Sequence, residues 1–443
     1  MALQVNSDLT RVLVAQYLAK KGLNETLQAF LTETGLPRSV LETDNECEKL
    51  EDIVLERIVF NEAQVSEKLK GLAINNKMEP LADGFQFRAW DRKQKFKSIR
   101  VDKAPQSLVL DIRIVLNGCV LVSAVERRIY LYTSDGKLRR KSEPLAAVAK
   151  ICGVLPLHRS QVLFYACTVD GFLQIFDSEL GLVSRHKIHN RIVTHIEFLK
   201  QTDTQLTCLS CGTDNLVKTH LLNVEGKILE TKSSVTLLTN CSSFQVALTK
   251  TNVPFLFITR VDFTQVSVLR CKPDLRLVEV ARIALNTAQF SAHSFEVRSA
   301  IVLNALPEKR DSENPHVPIL SDNSFFAAAS SHTPYMRLIV ARVPPELCNY
   351  QINVGPKPFY DMVIRNYATG IGQNSFSQPI LKALPDGSGL LVGGDDGIWA
   401  ADLSSGDTWL QFPLTGRVKG LDINLEKIAC SLSNKDLCLW NFK

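Results

Sequence analysis

The residues with the clearest potential for metal or redox chemistry are Cys208 and Cys211, which form the chain's single Cys-x-x-Cys pair. A structural zinc ion needs four ligands, and no second cysteine pair or histidine pair follows at ligand spacing. Both cysteines lie in a predicted strand beside Leu206 and Leu209. Because buried free cysteines behave as small apolar residues, the pattern favours a structural role and predicts no metal site.

Three histidines, His186, His189 and His195, lie close together in the sequence and could in principle ligate a metal or relay a proton. They fall where one predicted repeat leads into the next, a region where polar residues commonly satisfy turns. The glycine-rich runs 387–389 and 393–394 match neither a phosphate-binding loop nor a dinucleotide fingerprint. The chain also lacks nucleophile-elbow, kinase and metalloprotease motifs. The sequence therefore predicts no catalytic residue and no cofactor.

A basic stretch interleaved with aromatic residues runs from residue 87 to residue 103. Such a stretch can bind nucleic acid, with cations on phosphates and rings stacked on bases. It can also form an edge strand whose lysines discourage aggregation while its aromatic residues pack inward, and we favour this second interpretation. Under the first interpretation the nucleic-acid contacts would be Arg88, Arg92, Lys93, Lys95 and Lys97.

The composition indicates a globular chain of 443 residues, 45% apolar and 22% charged, long enough for two or three domains or one repeat architecture. The net charge of +5 permits a nucleic-acid partner without requiring one. Eleven cysteines without disulfide-scaffold spacing indicate a reducing compartment, the cytoplasm or the nucleus. We expect no membrane association, because no apolar run reaches the length of a membrane span and no signal segment is present.

Two short helical patterns fill residues 9–36 and meet at Lys21-Gly22. Asn24 is the predicted N-cap of the second helix and Gly35 the glycine that ends it. About thirty residues cannot bury a sufficient core alone. The wide apolar faces therefore need a partner, and a second copy of the chain is the simplest one.

This region resembles the LisH motif at Tyr17-Leu18, Gly22, Phe30 and Glu33-Thr34-Gly35. The resemblance implies dimerisation, commonly through a four-helix bundle, and frequently a β-propeller behind the motif. An ordinary helical hairpin packed on its own domain is the alternative. The residues expected at the dimer seam are Leu13, Val14, Tyr17, Leu18, Leu23, Leu27 and Phe30.

A third helical pattern follows the motif, and a linker with Asn, Pro and Gly follows that pattern. The third helix is expected to pack beside the LisH pair or to extend the dimer as a short coiled coil. The predicted domains are a LisH motif over 1–40, a helical extension over 41–74, a linker over 75–84 and a propeller over 85–443.

From residue 85 onward, a strand, a polar turn and a second strand recur seven times. Tyr130, Gln174 and Lys218 hold equivalent places 44 residues apart, which is the period of a propeller blade. The fold class is therefore a multidomain α+β chain, with all-α LisH helices followed by an all-β, seven-bladed propeller. The seven copies start at residues 120, 163, 206, 254, 325, 389 and 427.

The last copy ends after its third strand, predicted over 437–442, and so lacks an outer strand. A strand from the N-terminal side of the propeller, within 95–103 or 85–90, can complete it and leave no free edge.

The segments 394–399 and 433–440 resemble the turn-plus-strand core of WD repeats. The characteristic Gly-His pair is absent, and no complete Trp-Asp ending closes any of the seven copies. The resemblance therefore implies divergent blades.

Two segments, 307–324 and 355–379, exceed what a blade needs and are predicted to be long loops. The second is rich in aromatic residues, which a disordered loop would carry less often. We expect it to pack on the propeller or on a partner. Its candidate partner contacts are Phe359, Tyr360, Tyr367 and Phe376.

Together these features predict a non-catalytic homodimeric scaffold that holds partner proteins on its propeller within a larger complex. LisH–propeller proteins commonly belong to corepressor, ubiquitin-ligase, splicing or motor-regulator assemblies. The alternative is a propeller that binds nucleic acid through its basic stretch.

Overall fold

The computed structural model contains two compact units, residues 1–77 and 78–443. It describes residues 2–41, 50–51, 54, 87–92, 95–157, 162–261, 263–286, 295–304, 314, 316–348 and 356–442. The helical extension predicted over 41–74 lies almost entirely outside these residues, and the linker predicted over 75–84 lies wholly outside them.

The described part of the first unit begins with a helical hairpin followed by a short 3₁₀ helix. Its elements are α1 (Ala2–Lys20), α2 (Asn24–Thr34) and the 3₁₀ helix Arg38–Leu41. Within the described part of the chain, no helix combines the length and the apolar character needed to cross a membrane.

Glycines at both ends of α2 allow the chain to turn. Gly22 (φ 71°) and Gly35 (φ 68°) adopt the left-handed conformation, which glycine enters without steric cost. The prediction of Asn24 as N-cap was wrong: Leu23 holds that position and makes no side-chain capping bond. Among the residues whose side chains the structure describes, the hairpin buries four apolar ones, Leu13, Ala15, Leu27 and Leu31, so its apolar core is small.

The second unit is a seven-bladed β-propeller, as predicted, and each blade is an antiparallel sheet of four strands with one addition in blade 4. The strand nearest the N-terminus is β1 (Phe96–Ile99). Blade 1 contains β2 (Val109–Ile114), β3 (Val120–Ala124), β4 (Arg128–Tyr132) and β5 (Leu138–Lys141). Blade 2 contains β6 (Ala149–Val154), β7 (Phe164–Thr168), β8 (Phe172–Phe176) and β9 (Leu182–Lys187). Blade 3 contains β10 (Val193–Lys200), β11 (Gln205–Gly212), β12 (Leu216–Asn223) and β13 (Ile228–Thr236).

The remaining blades follow in chain order. Blade 4 contains β14 (Cys241–Leu248), β15 (Pro254–Arg260), β16 (Gln265–Cys271) and β17 (Leu277–Ala284). Blade 5 contains β18 (Val297–Asn304), β19 (Ser324–Ser330), β20 (Tyr335–Arg342) and, after β21 (Lys357–Phe359), β22 (Val363–Gly372). Blade 6 contains β23 (Ile380–Ala383), β24 (Gly389–Gly393), β25 (Gly397–Asp402) and β26 (Thr408–Pro413). Blade 7 contains β27 (Val418–Ile423), β28 (Lys427–Leu432) and β29 (Leu437–Phe442).

The blades close into a ring around a central channel lined by the first strand of each blade. Each first strand contacts the first strand of the next blade, from β2 through β27 and back to β2. The outer strand of blade 7 is β1, which pairs antiparallel with β29 from Phe96 opposite Phe442 to Ile99 opposite Leu439. Of the two predicted closing segments, the structure therefore uses the one within 95–103.

The second strand of each blade is the most deeply buried. In β3, β7, β19, β24 and β28 every residue is buried, because these strands are covered on both faces by neighbouring blades. Such strands read as continuous apolar or small-residue runs. The run Ala327–Ala329 in β19 is an example of the small side chains that fit where blades converge.

A β-bulge marks the start of the first strand in six of the seven blades, with blade 6 the exception. The bulge inserts one extra residue opposite the second strand and changes the direction of the residues around it. We call the face where the first strands begin the upper face, and the face where they end the lower face.

Polar residues on the first strands, three of them just after a bulge, join one blade to the next. The Asp111 carboxylate of blade 1 accepts the Cys152 N–H of blade 2 at 3.0 Å. Ser243 Oγ of blade 4 accepts the Ala300 N–H of blade 5 at 3.1 Å. Similar bonds join Ser299 to Leu381 N–H (3.2 Å) and Asp422 to Ile114 N–H (2.8 Å).

The segment 355–379 was wrongly predicted as a long loop. After the short helix α3 (Pro345–Cys348), β21 adds a fifth strand to blade 4, parallel to β17. The chain then returns as β22, the outer strand of blade 5. The order of the strands explains the error. Between the third and fourth strands of blade 5, the chain adds β21 to the neighbouring blade 4, and local sequence patterns do not reveal this connection.

The described part of the other long segment, 307–324, lies against two earlier blades at the lower face. Ile319 forms a parallel β-bridge with Leu248 at the end of β14. Asn314 Oδ1 accepts the Lys200 N–H at the end of β10 at 2.8 Å. This part of the segment is therefore packed on blades 3 and 4.

A buried lysine at the seam between blades 7 and 1 should stabilise the closed ring. Lys427 is 2% exposed, and its ammonium donates to the carbonyls of Gly118 (2.9 Å) and Ser134 (2.5 Å) in blade 1. We expect Lys427→Met to lower the free energy of unfolding by roughly 1–3 kcal/mol, because the carbonyls of Gly118 and Ser134 lose a shared charged donor. Urea denaturation measures the change. Lys250→Met, at an exposed turn, is the control, and an equal loss from both variants would contradict this role.

Candidate partner-binding surfaces

The residues predicted for the dimer seam divide into three groups by exposure. Leu13 and Leu27 are buried within the single chain, at 8% and 9% exposure. Leu23, at 47% exposure, projects from the turn between α1 and α2. The half-buried members are Val14, Tyr17, Leu18 and Phe30.

Three of the half-buried residues, Val14, Tyr17 and Leu18, are spaced i, i+3 and i+4 on α1, so they share one helix face. That face is only partly covered within its own unit. The hairpin therefore retains a stripe of partly exposed apolar side chains beside the exposed Leu23.

A loop on the upper face displays a large apolar side chain to solvent. Phe376, in the connection from β22 to β23, is 80% exposed. The loop around it is fixed by the Arg298 guanidinium, which donates to the carbonyls of Asn374 (2.6 Å), Ser377 (3.0 Å) and Ser375 (3.2 Å). Because three carbonyls of the loop accept hydrogen bonds from this one guanidinium, the loop holds a defined conformation.

The same loop is tied to blades 6 and 7 on its other side. Ser377 Oγ donates to the Asp395 carboxylate at 2.5 Å. Arg417 forms an ion pair with Asp395 at 2.7 Å and donates to the Phe376 carbonyl at 3.1 Å. The backbone carbonyls of this loop therefore have hydrogen-bond donors, whereas the Phe376 ring is largely exposed to solvent.

The structure separates the four aromatic residues proposed as partner contacts. Phe359 and Tyr367 are buried at 7% and 6% exposure in the packing between blades. The Tyr367 hydroxyl donates to the Leu403 carbonyl at 2.5 Å, and burial raises the pKa of this phenol. Tyr360 is half-buried. Of the four, Phe376 offers the most surface to a partner.

The basic stretch is divided between a strap, residues 87–92, and β1. In the strap, Phe87 packs on Phe325 (centroids 4.8 Å apart) and Trp90 is 6% exposed. A Cβ at Gly389 would lie 2.7 Å from the Trp90 ring, so the close approach requires glycine there. The aromatic residues thus pack inward.

Both arginines proposed as nucleic-acid contacts lie beside carboxylates. Arg88 lies 3.9 Å from Asp386, and Arg92 pairs with Asp407 while its guanidinium stacks 4.7 Å from the Trp409 ring centroid. Lys95 and Lys97 are exposed, and Lys93 lies outside the described residues. The basic side chains of this stretch therefore do not form a continuous row of cations without carboxylate neighbours.

Cys208 and Cys211 are both buried on β11, and their side chains belong to different apolar clusters. Residues three apart on a strand point to opposite faces of the sheet. The pair therefore cannot close a disulfide or share a metal ion. Among the residues that the structure describes, no group of three His, Cys, Asp or Glu side chains has the arrangement of a metal site.

His189 forms a Ser–His–Asp hydrogen-bond series that the sequence did not reveal. Its Nδ1 lies 2.9 Å from Asp214 Oδ1, and its Nε2 lies 2.9 Å from Ser210 Oγ. Burial lowers the pKa of His189 despite the attraction of Asp214. The imidazole is therefore neutral, its Nδ1–H donates to the carboxylate, and its Nε2 accepts from the serine hydroxyl.

This series has the bonding order of a hydrolase triad but not its access. The side chains of His189 and Ser210 are 0% and 0% exposed, so no substrate reaches the hydroxyl. Asp214 also accepts the Asn190 N–H at 3.0 Å and thereby fixes the turn into blade 3. The arrangement joins a strand, a turn and the connection between two blades, so its role is structural.

His195 lies on the first strand of blade 3 and stacks on Phe244 of blade 4, with ring centroids 6.0 Å apart. Burial, Lys150 and Arg113 lower the pKa of His195 to about 4. Burial also lowers the pKa of His186, on β9. All three histidines of the sequence cluster are therefore neutral near pH 7.

Charged pairs along the first strands are a second feature that the sequence did not reveal. Their closest atoms are Arg113 Nε and Asp111 Oδ2 (3.3 Å), Lys382 Nζ and Asp422 Oδ1 (2.9 Å), and His316 Nε2 and Glu197 Oε1 (2.8 Å). Burial opposes the charged form of Asp422, yet Lys382 and Arg113 hold its pKa below the usual value. Each acid of the three pairs thus has a base beside it. Arg113 and Asp111 share β2, whereas the other two pairs join residues that are far apart in the sequence, so no local motif signals them.

Removal of the Asp214 carboxylate should destabilise the propeller. We expect Asp214→Ala to lower the free energy of unfolding by roughly 2–3 kcal/mol, because His189 and Asn190 lose a charged acceptor in a buried site. The control is Asp396→Ala in the equivalent turn of blade 6, where the residue is exposed and accepts the Trp399 indole N–H. Urea unfolding compares the two. A cost no larger than that of the control would show that the series is not structural.

Comparison with known proteins agrees with both units. The LisH domain of the UCP007778 family matches residues 8–42, and the β-propeller domain of the same family matches residues 72–441. The uncharacterized protein YGR117C of Saccharomyces cerevisiae is 29% identical, in an alignment that covers 98% of this chain and 97% of the yeast protein. A LisH domain followed by a β-propeller is an arrangement suited to protein interaction. The chain belongs to the UCP007778 family of LisH–β-propeller proteins.

Proposed function

We propose that this protein is a non-catalytic homodimeric scaffold that holds partner proteins on its propeller within a larger assembly. The observation that carries the proposal is the pairing of a small helical hairpin with an incompletely covered apolar stripe and a rigid propeller that displays an exposed aromatic residue. Two copies joined through the hairpins would double the valency, so modest affinities combine through effective concentration.

The hairpin supports dimerisation because its own core is too small for an independent fold. It buries Ala15, Leu27 and Leu31, whereas Val14, Tyr17 and Leu18 remain partly exposed on one face of α1. Covering a large apolar side chain contributes about 1.5–3 kcal/mol when burial is complete. A second hairpin supplies a matching surface by two-fold symmetry.

Charge placed on the stripe should separate the dimer. We expect Leu18→Asp with Phe30→Asp to halve the mass measured by light scattering while the propeller's unfolding transition is retained. Because both residues also pack on the hairpin's own core, Leu23→Asp, at the exposed turn, is a second variant that leaves that core intact and should weaken the dimer.

The control for the dimer test is Thr26→Asp with Ala29→Asp, at exposed positions of α2. It should remain dimeric. A dimer that survives both the Leu18/Phe30 and the Leu23 changes would place the self-association seam elsewhere.

The upper-face loop supports partner binding because its aromatic residue is already fixed in an exposed position. Hot spots of protein interfaces are commonly such anchors, and rigidity reduces the entropy lost on binding. Arg298 and Arg417 fix the backbone on either side of Phe376. We therefore retain Phe376, with Tyr360 as a secondary contact, as the partner-binding residues.

Replacing the exposed ring should impair partner binding and leave the fold unchanged. Phe376→Asp should change the free energy of unfolding by less than about 0.5 kcal/mol and weaken partner binding by about tenfold or more. Tagged protein is incubated with nuclease-treated native extract, recovered proteins are identified by mass spectrometry, and the dominant one is purified for titration.

Leu425→Asp is the matched control for this test. Leu425 is similarly exposed, at 73%, and lies on the lower face. If Phe376→Asp and Leu425→Asp recover the same stoichiometric set with equal affinity, Phe376 is not the anchor.

A parallel recovery from extract without nuclease treatment tests the alternative of nucleic-acid binding through the basic stretch. That function would require free cations, whereas Arg88 and Arg92 are engaged by Asp386 and Asp407. The scaffold proposal includes a cytoplasmic or nuclear location, which the nine cysteines whose side chains the structure describes, all unpaired, support. The candidate assembly classes are those named from the LisH resemblance.

A further inference from the structure

The β-bulges of the first strands place one extra residue from each of six blades at the upper mouth of the channel. Bulges commonly re-aim side chains beside functional sites. Three of the six residues are basic, and none is acidic. In blade order they are Leu110, Lys150, Thr194, Ser242, Arg298 and Lys419.

The members of this ring differ in what already engages them. Thr194 and Ser242 donate or accept within their own blades, at Cys211 (3.1 Å) and Thr259 (2.9 Å). Arg298 is used by the carbonyls of the loop around Phe376. Lys150 and Lys419 have no ion-pair partner within the described residues, which leaves two lysines available to a ligand.

The charge of these two lysines is not cancelled by the acids deeper in the channel. Asp111, Asp422 and Glu197 each pair with a base at 2.8–3.3 Å. Because each of these acids is matched by a base, the pairs add no net negative charge below Lys150 and Lys419. A channel mouth with low-dielectric walls concentrates the field of such charges.

An apolar anchor lies on the same face as the two lysines. Arg417, which donates to the Phe376 carbonyl at 3.1 Å, is two residues before Lys419. Lys419 in blade 7, Leu110 in blade 1 and Lys150 in blade 2 then follow around the closed ring. Along this path the upper face offers an aromatic ring, a cation, an apolar side chain and a second cation.

We propose that the upper mouth of the channel binds an acidic segment of a partner protein, with carboxylates on Lys150 and Lys419 and an apolar residue on Phe376. This deepens, and rests on, the proposed scaffold function, because it names the chemistry of the partner. A peptide fits better than a nucleic acid. Tight binding to nucleic acid neutralises a track of many phosphates, whereas this mouth offers two unpaired cations separated by Leu110.

The test uses the full chain and a fluorescein-labelled peptide that alternates glutamate pairs with single leucine or phenylalanine residues. Fluorescence anisotropy should show binding that weakens as salt rises from about 50 to about 300 mM. Lys150→Glu with Lys419→Glu should lower the affinity by about tenfold or more. A peptide with glutamine in place of glutamate should bind about tenfold more weakly than the acidic one.

Matched variants separate the mouth from general surface charge. Lys227→Glu with Lys250→Glu changes two exposed lysines of lower-face turns and should leave the affinity unchanged. Lys150→Met with Lys419→Met removes the charge while keeping the approximate length of the side chains, and it should also weaken binding. This pair replaces the glutamate pair if the glutamate pair impairs folding.

Three results would overturn the proposal: no binding of the acidic peptide, equal loss from the control pair, or no loss from either Lys150/Lys419 variant. A single-stranded RNA that binds more tightly than the peptide and depends on the same lysines would assign the mouth to phosphates instead. Partner capture that depends on Phe376 but not on Lys150 and Lys419 would retain the scaffold and exclude the acidic segment.

Discussion

The structure depends on the lateral contact between the first strands of adjacent blades. A propeller blade buries its second strand only if both neighbouring blades are in place, so the ring must hold together around its inner edge. Asp111, Ser243, Ser299 and Asp422 provide this by accepting backbone N–H groups of the next blade. Bulges at the corresponding positions of blades 2 and 7 place Lys150 and Lys419 at the mouth. Fold closure and surface charge therefore have a common origin in backbone geometry.

The two units meet different physical requirements. The propeller has seven extensive apolar clusters and several buried polar networks, and its surface loops can be held rigidly without a partner. The helical hairpin has one small cluster and leaves part of an apolar face uncovered. The first unit is thus suited to association with a like surface, whereas the second is suited to the display of loops in fixed positions.

The sequence predicted the features that depend on local pattern. The seven strand pairs, the 44-residue spacing and the final strand at Leu437–Phe442 follow from alternation and turn chemistry, and the closing strand falls within one of two predicted segments. The features that the sequence did not reveal depend on contacts between segments that are separated in the sequence. Residues 355–379 read as a loop because β21 belongs to blade 4 and β22 to blade 5. The series of His189, Ser210 and Asp214 spans a connection, a strand and a turn, and no local motif marks it.

The order of elements before the propeller has a mechanical consequence. The strap, residues 87–92, precedes β1, and Phe87 and Trp90 are seated in the propeller by ring contacts. Tension transmitted along the chain from the N-terminal unit therefore acts first on the contacts of these two aromatic rings. The hydrogen bonds between β1 and β29, which close the ring, take load only after the strap has been pulled out. The closing strand is therefore protected from tension along the chain by an anchor that precedes it in the sequence.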